Sequence, residues 1–222
     1  MSLRYAFFAA TAAASLLAAG AANASLIVNG GFADGLIPAS GGFQTVGVSS
    51  GVIPGWNVTA GNVDWIRGYW QSSDGDGYSI DMNGDTQGTI AQTISTVAGK
   101  TYHLTFDMSG NPDAGSDTRN IRVDTGGAST LFSYVFTTGA SPLNNSSNMN
   151  WAHKALTFTA TGASTQIRFA SGDFGRCCWG AALDNVAVSS AVPEPTSWAL
   201  MMSGFFGAGA ILRRTRRQVA AA

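Results

Sequence analysis

The stretch TYHLTFDMS, residues 101–109, most limits what this chain can fold into. Tyr102, Leu104, Phe106 and Met108 alternate there with His103, Thr105 and Asp107. A period of two puts the apolar set on one face of a strand and the polar set on the other. The pattern recurs along the chain. Ile121 and Val123 alternate with Arg122 and Asp124, Leu156 and Phe158 flank Thr157, and Ile167 and Phe169 flank Arg168. Ile90 and Ile94 share a face with Gln92 between them. No helix-period run of useful length lies between residues 25 and 190, and that stretch contains no glutamate. Turn signals punctuate it at Gly30-Gly31, Pro54-Gly55, Asp74-Gly75, Asn83-Gly84, Asn111-Pro112 and Gly126-Gly127. Short alternating runs between such turns predict an all-β sandwich or barrel.

The two ends are of another kind. Residues 1–24 carry one positive charge at Arg4, an apolar run and the small-residue ending Ala22-Asn23-Ala24. That is the layout of a cleaved secretory signal peptide. At the other end, Pro193-Glu194-Pro195 leads into an apolar run, Thr196 to Leu212, and then Arg213, Arg214, Arg216 and Arg217. As a helix that run would span about 25 Å, slightly less than a hydrocarbon core of ~30 Å. With the body exported, the arginines stay in the cytoplasm, as the positive-inside rule expects. The division is therefore 1–24 signal peptide, 25–190 β-sandwich domain, 191–217 anchor segment and 218–222 tail.

The body holds seven lysines and arginines against twelve aspartates, a net charge of −5. The near-neutral whole-chain value hides this, because five of the arginines sit in the end segments. An acidic body argues against nucleic acid as a partner.

The order Pro-Glu-Pro, apolar span, arginine cluster resembles the PEP-CTERM sorting signal. The resemblance implies a membrane-embedded exosortase that processes the tail near Pro193, Glu194 and Pro195, with Arg213 and Arg214 in the basic stop. It also implies a host that makes extracellular polysaccharide. In the body, LIVNGGFADG, IPGWNV, VDWI, DGDGYSIDMNG, GTIAQTISTVAGKTYHLTFDMSGNP and GAALDNVAV occur in one order. Together they resemble the choice-of-anchor C family, related to galactose-binding-like jelly rolls. This implies a two-sheet antiparallel jelly-roll sandwich, with a single C-terminal transmembrane helix before processing. The address is an inner-membrane intermediate, then the cell surface or extracellular matrix. Such sandwiches commonly hold a structural calcium with an acidic residue just after an Asn-Gly-x-Phe opening. Here that position is Ala33, and Asp34 follows.

Two roles fit Asp184. Period two places it on the face of Val186 and Val188, and a core-facing carboxylate needs a partner or a cation. It either joins Asn29 and Asp34 around a calcium ion between the first and last strands, or it is a hydrogen-bonded strand residue. DGDGYSIDMNGD offers further oxygens, Asp74, Asp76, Asp81, Asn83 and Asp85. An EF-hand frame from Asp81 fails at Thr86 and Gln92, and a solvated turn feeding a strand is the simpler reading. Gly47-Val48-Ser49-Ser50-Gly51 fits a nucleophile elbow in letters, but Pro54-Gly55 follows where a helix must start. His103 and His153 read as surface or structural residues. Paired aspartates would suit a glycosidase, and the missing glutamates make a hydrolase the weakest reading.

Aromatic residues carry the best binding expectation. Trp56 and Trp65 fall in strand-like runs and are expected inside. Tyr69, Trp70 and Trp179 are expected exposed, where an indole or phenol face stacks on a pyranose and neighbouring Asp and Asn bind hydroxyls. Cys177-Cys178 can close only a strained vicinal ring, pair with another chain, or stay reduced. The function expected is a non-catalytic polysaccharide-binding module. The alternatives are a structural biofilm or matrix protein without a specific sugar, or a hydrolase.

Overall fold

The computed structural model describes residues 25–35, 42–136, 144–191 and 203–206. Eleven strands form among them: β1 (Phe43–Gly47), β2 (Asn57–Ala60), β3 (Asn62–Arg67), β4 (Tyr78–Asp81), β5 (Thr89–Ser95), β6 (Thr101–Gly110), β7 (Asp117–Asp124), β8 (Ser129–Phe136), β9 (Ala152–Thr159), β10 (Ser164–Ser171) and β11 (Ala181–Ser190). One 3-10 turn, Pro112–Ala114, follows β6. Six strands make one sheet in the order β1-β3-β4-β11-β6-β9, and five make the other in the order β2-β5-β10-β7-β8. Every pairing is antiparallel. The fold is an all-β, two-sheet antiparallel sandwich.

The alternating residues meet between the sheets. Leu104, Phe106 and Met108 from β6 face Ile121 and Val123 from β7, with Ile167 and Phe169 from β10, all almost completely buried. Rings link across this core, Phe32 to Trp56 tilted, then Trp56 to Phe169, Phe169 to Phe106 and Phe106 to Phe132 in T-shaped contacts. Burying one such large side chain is worth about 2–3 kcal/mol.

Polar side chains also reach into this core, each with a stated partner. The Gln92 amide accepts from the Val28 N–H at 2.7 Å and donates to the Val28 carbonyl at 2.9 Å. The Trp56 indole donates to the Asn29 carbonyl and the Trp65 indole to the Phe32 carbonyl, both at 2.9 Å. These three clamps hold a segment without regular structure against the sandwich. Leu26 N–H also donates to the Val188 carbonyl, and the Ser25 hydroxyl accepts from Val188 N–H. The start of the domain therefore lies against the far end of β11.

One expectation about β11 is corrected. A bulge shifts the register between Asp184 and Ala187, and Asn185 there adopts a positive φ of 49°. An extra residue reverses the phase of the strand. Leu183 and Val186 thus both point into the core, and Asp184 joins Ala182 on the outer face. It is buried there all the same, because the loop after β3 covers it and Ser73 N–H donates to its carboxylate.

That outer face carries a second, smaller core. Ile66, Trp70, Met149 and Ala182 pack together on the six-stranded sheet, with Trp151 half-buried against them. The 144–151 segment lies over this patch, tied down by Ser109 Oγ, which donates to the Met149 carbonyl, and by the Trp151 indole on the Gln71 carbonyl.

The leader, Pro193, Glu194, Pro195, Arg213 and Arg214 lie outside the described residues. Of the expected span only 203–206 are described, and they are helical. Among the described residues no helix is long and apolar enough to cross a membrane.

Candidate functional site

Beside the second core, the outer face of the six-stranded sheet opens into a cleft of about 230 Å³. Cross-strand register builds its floor. Thr45 on β1 stands opposite Asp64 on β3, and Asp64 stands opposite Asp81 on β4. One step along, Phe43 pairs with Ile66. The same alternation that sends Val63 and Trp65 into the core leaves Asp64 and Ile66 on this face.

Loops supply the walls. Tyr69 and Trp70 come from the segment after β3, Asn111 and Asp113 from the turn after β6, Gly84 and Asp85 from the turn after β4, and Cys178 and Trp179 from the run into β11. Two successive left-handed residues, Cys178 at φ 58° and Trp179 at φ 49°, bend the chain sharply before β11. That conformation is uncommon outside glycine. It is held by Cys178 N–H on the Gly84 carbonyl at 2.9 Å and by Gly180 N–H on Asp81 at 2.8 Å. Gly180 itself is required, since a Cβ there would meet Asp81 Oδ1 at 2.6 Å.

All three predicted aromatics line this cleft, but not alike. Tyr69 is 42% exposed and Trp179 53%. Phe43, also exposed, meets the Tyr69 ring edge-on. Trp70 corrects the expectation of exposure: it is 3% exposed, and its indole donates to Ser79 Oγ at 2.8 Å. Met149 covers it from a segment nearly eighty residues away, a contact that local sequence does not announce. Trp70 therefore supports the Tyr69 ring edge-on from behind.

The polar groups are nearly all acidic. Asp81, 1% exposed, accepts from Asn83 N–H, Gly180 N–H and the Asn111 amide, and burial pushes its carboxyl up to about 7. It is a buried strand residue and not part of a solvated turn. Asp64 accepts from Thr45 Oγ1 at 2.6 Å. Burial raises its carboxyl too, and nearby Asp85 adds to the rise. Asp113 accepts from the Tyr69 hydroxyl at 2.8 Å, a bond that raises the phenol and fixes the ring. Among the described residues no lysine, arginine or histidine lines the cleft.

The side chains of Asn29 and Asp184, from the expected calcium set, each have partners within the protein. The Asn29 amide donates to the Pro54 carbonyl and accepts from Asp34 N–H. Asp184 accepts from Ser73 N–H and Asn185 N–H, one on each oxygen, and burial pushes its carboxyl up to about 7. Among the described residues no group of three His, Cys, Asp or Glu is arranged to hold a metal. Both cysteines are free thiols, Cys177 exposed and Cys178 half-buried. Contact with Cys177 pushes Cys178 up to about 11. His103 is exposed, and His153 Nδ1 lies 2.9 Å from Asp107.

Sequence reasoning did not single out Phe43, Thr45, Asp64, Asn111 or Asp113. The alternation in VDWI was the available signal for Asp64, since it places that carboxylate opposite the buried Trp65. Nothing local connects residue 43 with residue 179.

Several known proteins resemble the chain. Halomucin from Haloquadratum walsbyi (strain DSM 16790 / HBSQ001) is 29% identical over 173 residues, which is 74% of this chain. The chain spans about 2% of the length of halomucin. Among solved structures, the family 35 carbohydrate-binding module (CBM35) from Paenibacillus barcinonensis is 17% identical, with a TM-score of 0.40 over 67% of this chain and 99% of that one. TmCBM61, solved with β-1,4-galactotriose, is 16% identical with a TM-score of 0.41, over 75% of this chain and 99% of that one. The PEP-CTERM protein-sorting motif matches residues 191–217. The protein family of unknown function DUF642 matches residues 25–189, most of the chain, and the chain belongs to that family.

Proposed function

We propose that this protein is a non-catalytic polysaccharide-binding module, exported and delivered to the cell surface or extracellular matrix through its sorting motif. The observation that carries the binding role is the cleft on the outer sheet face. It sets exposed rings, Tyr69 and Trp179, beside hydrogen-bonding side chains, Thr45, Asp64, Asp85 and Asp113. Aromatic faces give a sugar ring an apolar platform, and the oxygens around them accept its hydroxyls. Asp81 has its oxygens engaged by three donors from the protein itself, which suits support of the floor better than proton transfer to a glycosidic oxygen. The sorting motif supports processing by an exosortase after a membrane-bound stage, an address that choice-of-anchor C proteins share.

Affinity electrophoresis in gels cast with host polysaccharide tests the binding role. The purified protein is expected to be retarded, with Trp179→Ala and Tyr69→Ala each weakening retention about tenfold. Unchanged retention in both variants refutes the cleft as the site. If no gel retards the protein, a matrix role without a specific sugar replaces this reading.

A further inference from the structure

The cleft has a charge asymmetry that a general sugar site does not need. Among the described residues four carboxylates line it, Asp64, Asp81, Asp85 and Asp113, and no basic side chain does. Asp64 and Asp81 are cross-strand partners on the floor, and Asp85 projects from the turn that follows β4. Asp113 is committed to the Tyr69 hydroxyl. Among the described residues Asp64 is held by one hydroxyl, Thr45 Oγ1, and by no cation. Elsewhere on the body acidic groups do find basic partners: Asp117 pairs with Arg119 and Arg176, and Asp124 with Arg168. The aromatic surfaces of Tyr69 and Trp179 border the same space.

Resting on the polysaccharide reading above, we propose that the cleft prefers glycans bearing free amino groups, such as de-N-acetylated hexosamine units, and rejects uronic acid polymers. A ring stacked on Tyr69 or Trp179 places its substituents over the carboxylate floor. An ammonium there meets Asp64 and Asp85 as a charge-assisted partner. A neutral sugar offers those carboxylates only its hydroxyls. A uronate adds a like charge to a partly buried acidic patch, which is repulsive and costs specificity against that class. Burial raises the carboxyls of Asp64 and Asp81, and neighbouring carboxylates add to the rise; a cationic guest beside them favours their charged forms.

The test is an oligosaccharide array in which each backbone occurs as the free amine, the N-acetylated form and the uronate, probed with the purified protein. The amine forms are expected to bind about tenfold more tightly than their acetylated twins. That advantage should shrink between about 0.05 and 0.5 M salt. Asp64→Asn and the exposed Asp85→Asn should each weaken the amine forms more than the acetylated forms and so shrink the advantage, while Trp179→Ala weakens all forms by the same factor. Equal or weaker binding of the amines, or preferential binding of uronates, overturns the proposal. If neutral sugars then still bind in a Trp179-dependent way, the polysaccharide reading stands without it. If no sugar binds, both fall.

Discussion

Raising the pH from 5 to 8 should destabilise the folded domain, with Asp81 and Asp184 setting the size of the loss. Both carboxyls are pushed up to about 7 by burial, from an ordinary value of 3.8. Between those values the folded protein keeps a proton that the unfolded chain has released. Unfolding free energy therefore falls as pH rises through that window. For one group the loss between pH 5 and 8 is about 2–3 kcal/mol, and for two ~5 kcal/mol as an upper bound. Against a total stability of about 5–15 kcal/mol this is a large share. Asp64, Asp76 and Asp173 are raised as well and act in the same direction, whereas Asp117 is lowered, is ionised in both states above pH 5 and adds nothing to the slope. Urea unfolding followed by tryptophan fluorescence at pH 5, 6.5 and 8 measures the effect through buried Trp56, Trp65 and Trp70. In Asp81→Asn the slope with pH should fall by about half. The variant also carries a constant cost of about 1–2 kcal/mol, because its new amide faces the amide of Asn111. The slope is therefore the diagnostic quantity. Constant or rising stability from pH 5 to 8 would refute the burial argument, and so would an unchanged slope in the variant.

Other perturbations test other links. Gln92→Leu leaves the Val28 N–H and carbonyl without their clamp and should cost about 1–3 kcal/mol, read as a lower thermal midpoint with faster amide exchange at residues 26–32. Gly180→Ala drives a methyl to 2.6 Å from Asp81 Oδ1 and 2.7 Å from Asn83 N. It should destabilise the domain by about 1–3 kcal/mol, and sugar retention should fall with it, whereas the same substitution at Gly127, where a Cβ meets nothing within 4 Å, should change retention little.

Period-two alternation made the strands legible. From Tyr102 to Met108, and again in β7 and β10, the sequence alone separates core from surface. Trp56 and Trp65 were placed correctly by the same rule. Asp184 was not, because a bulge is a backbone event that leaves no mark in the polarity of neighbouring letters. Trp70 failed for a different reason. Its cover is Met149, brought over the sheet by a long connection, so its burial belongs to tertiary structure and not to its own segment. The cleft shows the same division. Tyr69 and Trp179 could be picked out as aromatics near turn residues. Their meeting with Thr45, Asp64 and Asp85 depends on the strand order β1-β3-β4-β11, which no local pattern encodes.

Strand β11 gives the molecule a polarity. Its first residues adjoin Trp179 and the carboxylate floor, and its last residues lie against Ser25 and lead to Ala191. Ten residues at ~3.3 Å each separate the two by about 30 Å. Whatever grips the polypeptide beyond Ala191 therefore holds it by the pole opposite the aromatic rim. Under the proposed function, a tether there would leave the rim free for a glycan, and cutting that tether would release the module with its cleft unchanged.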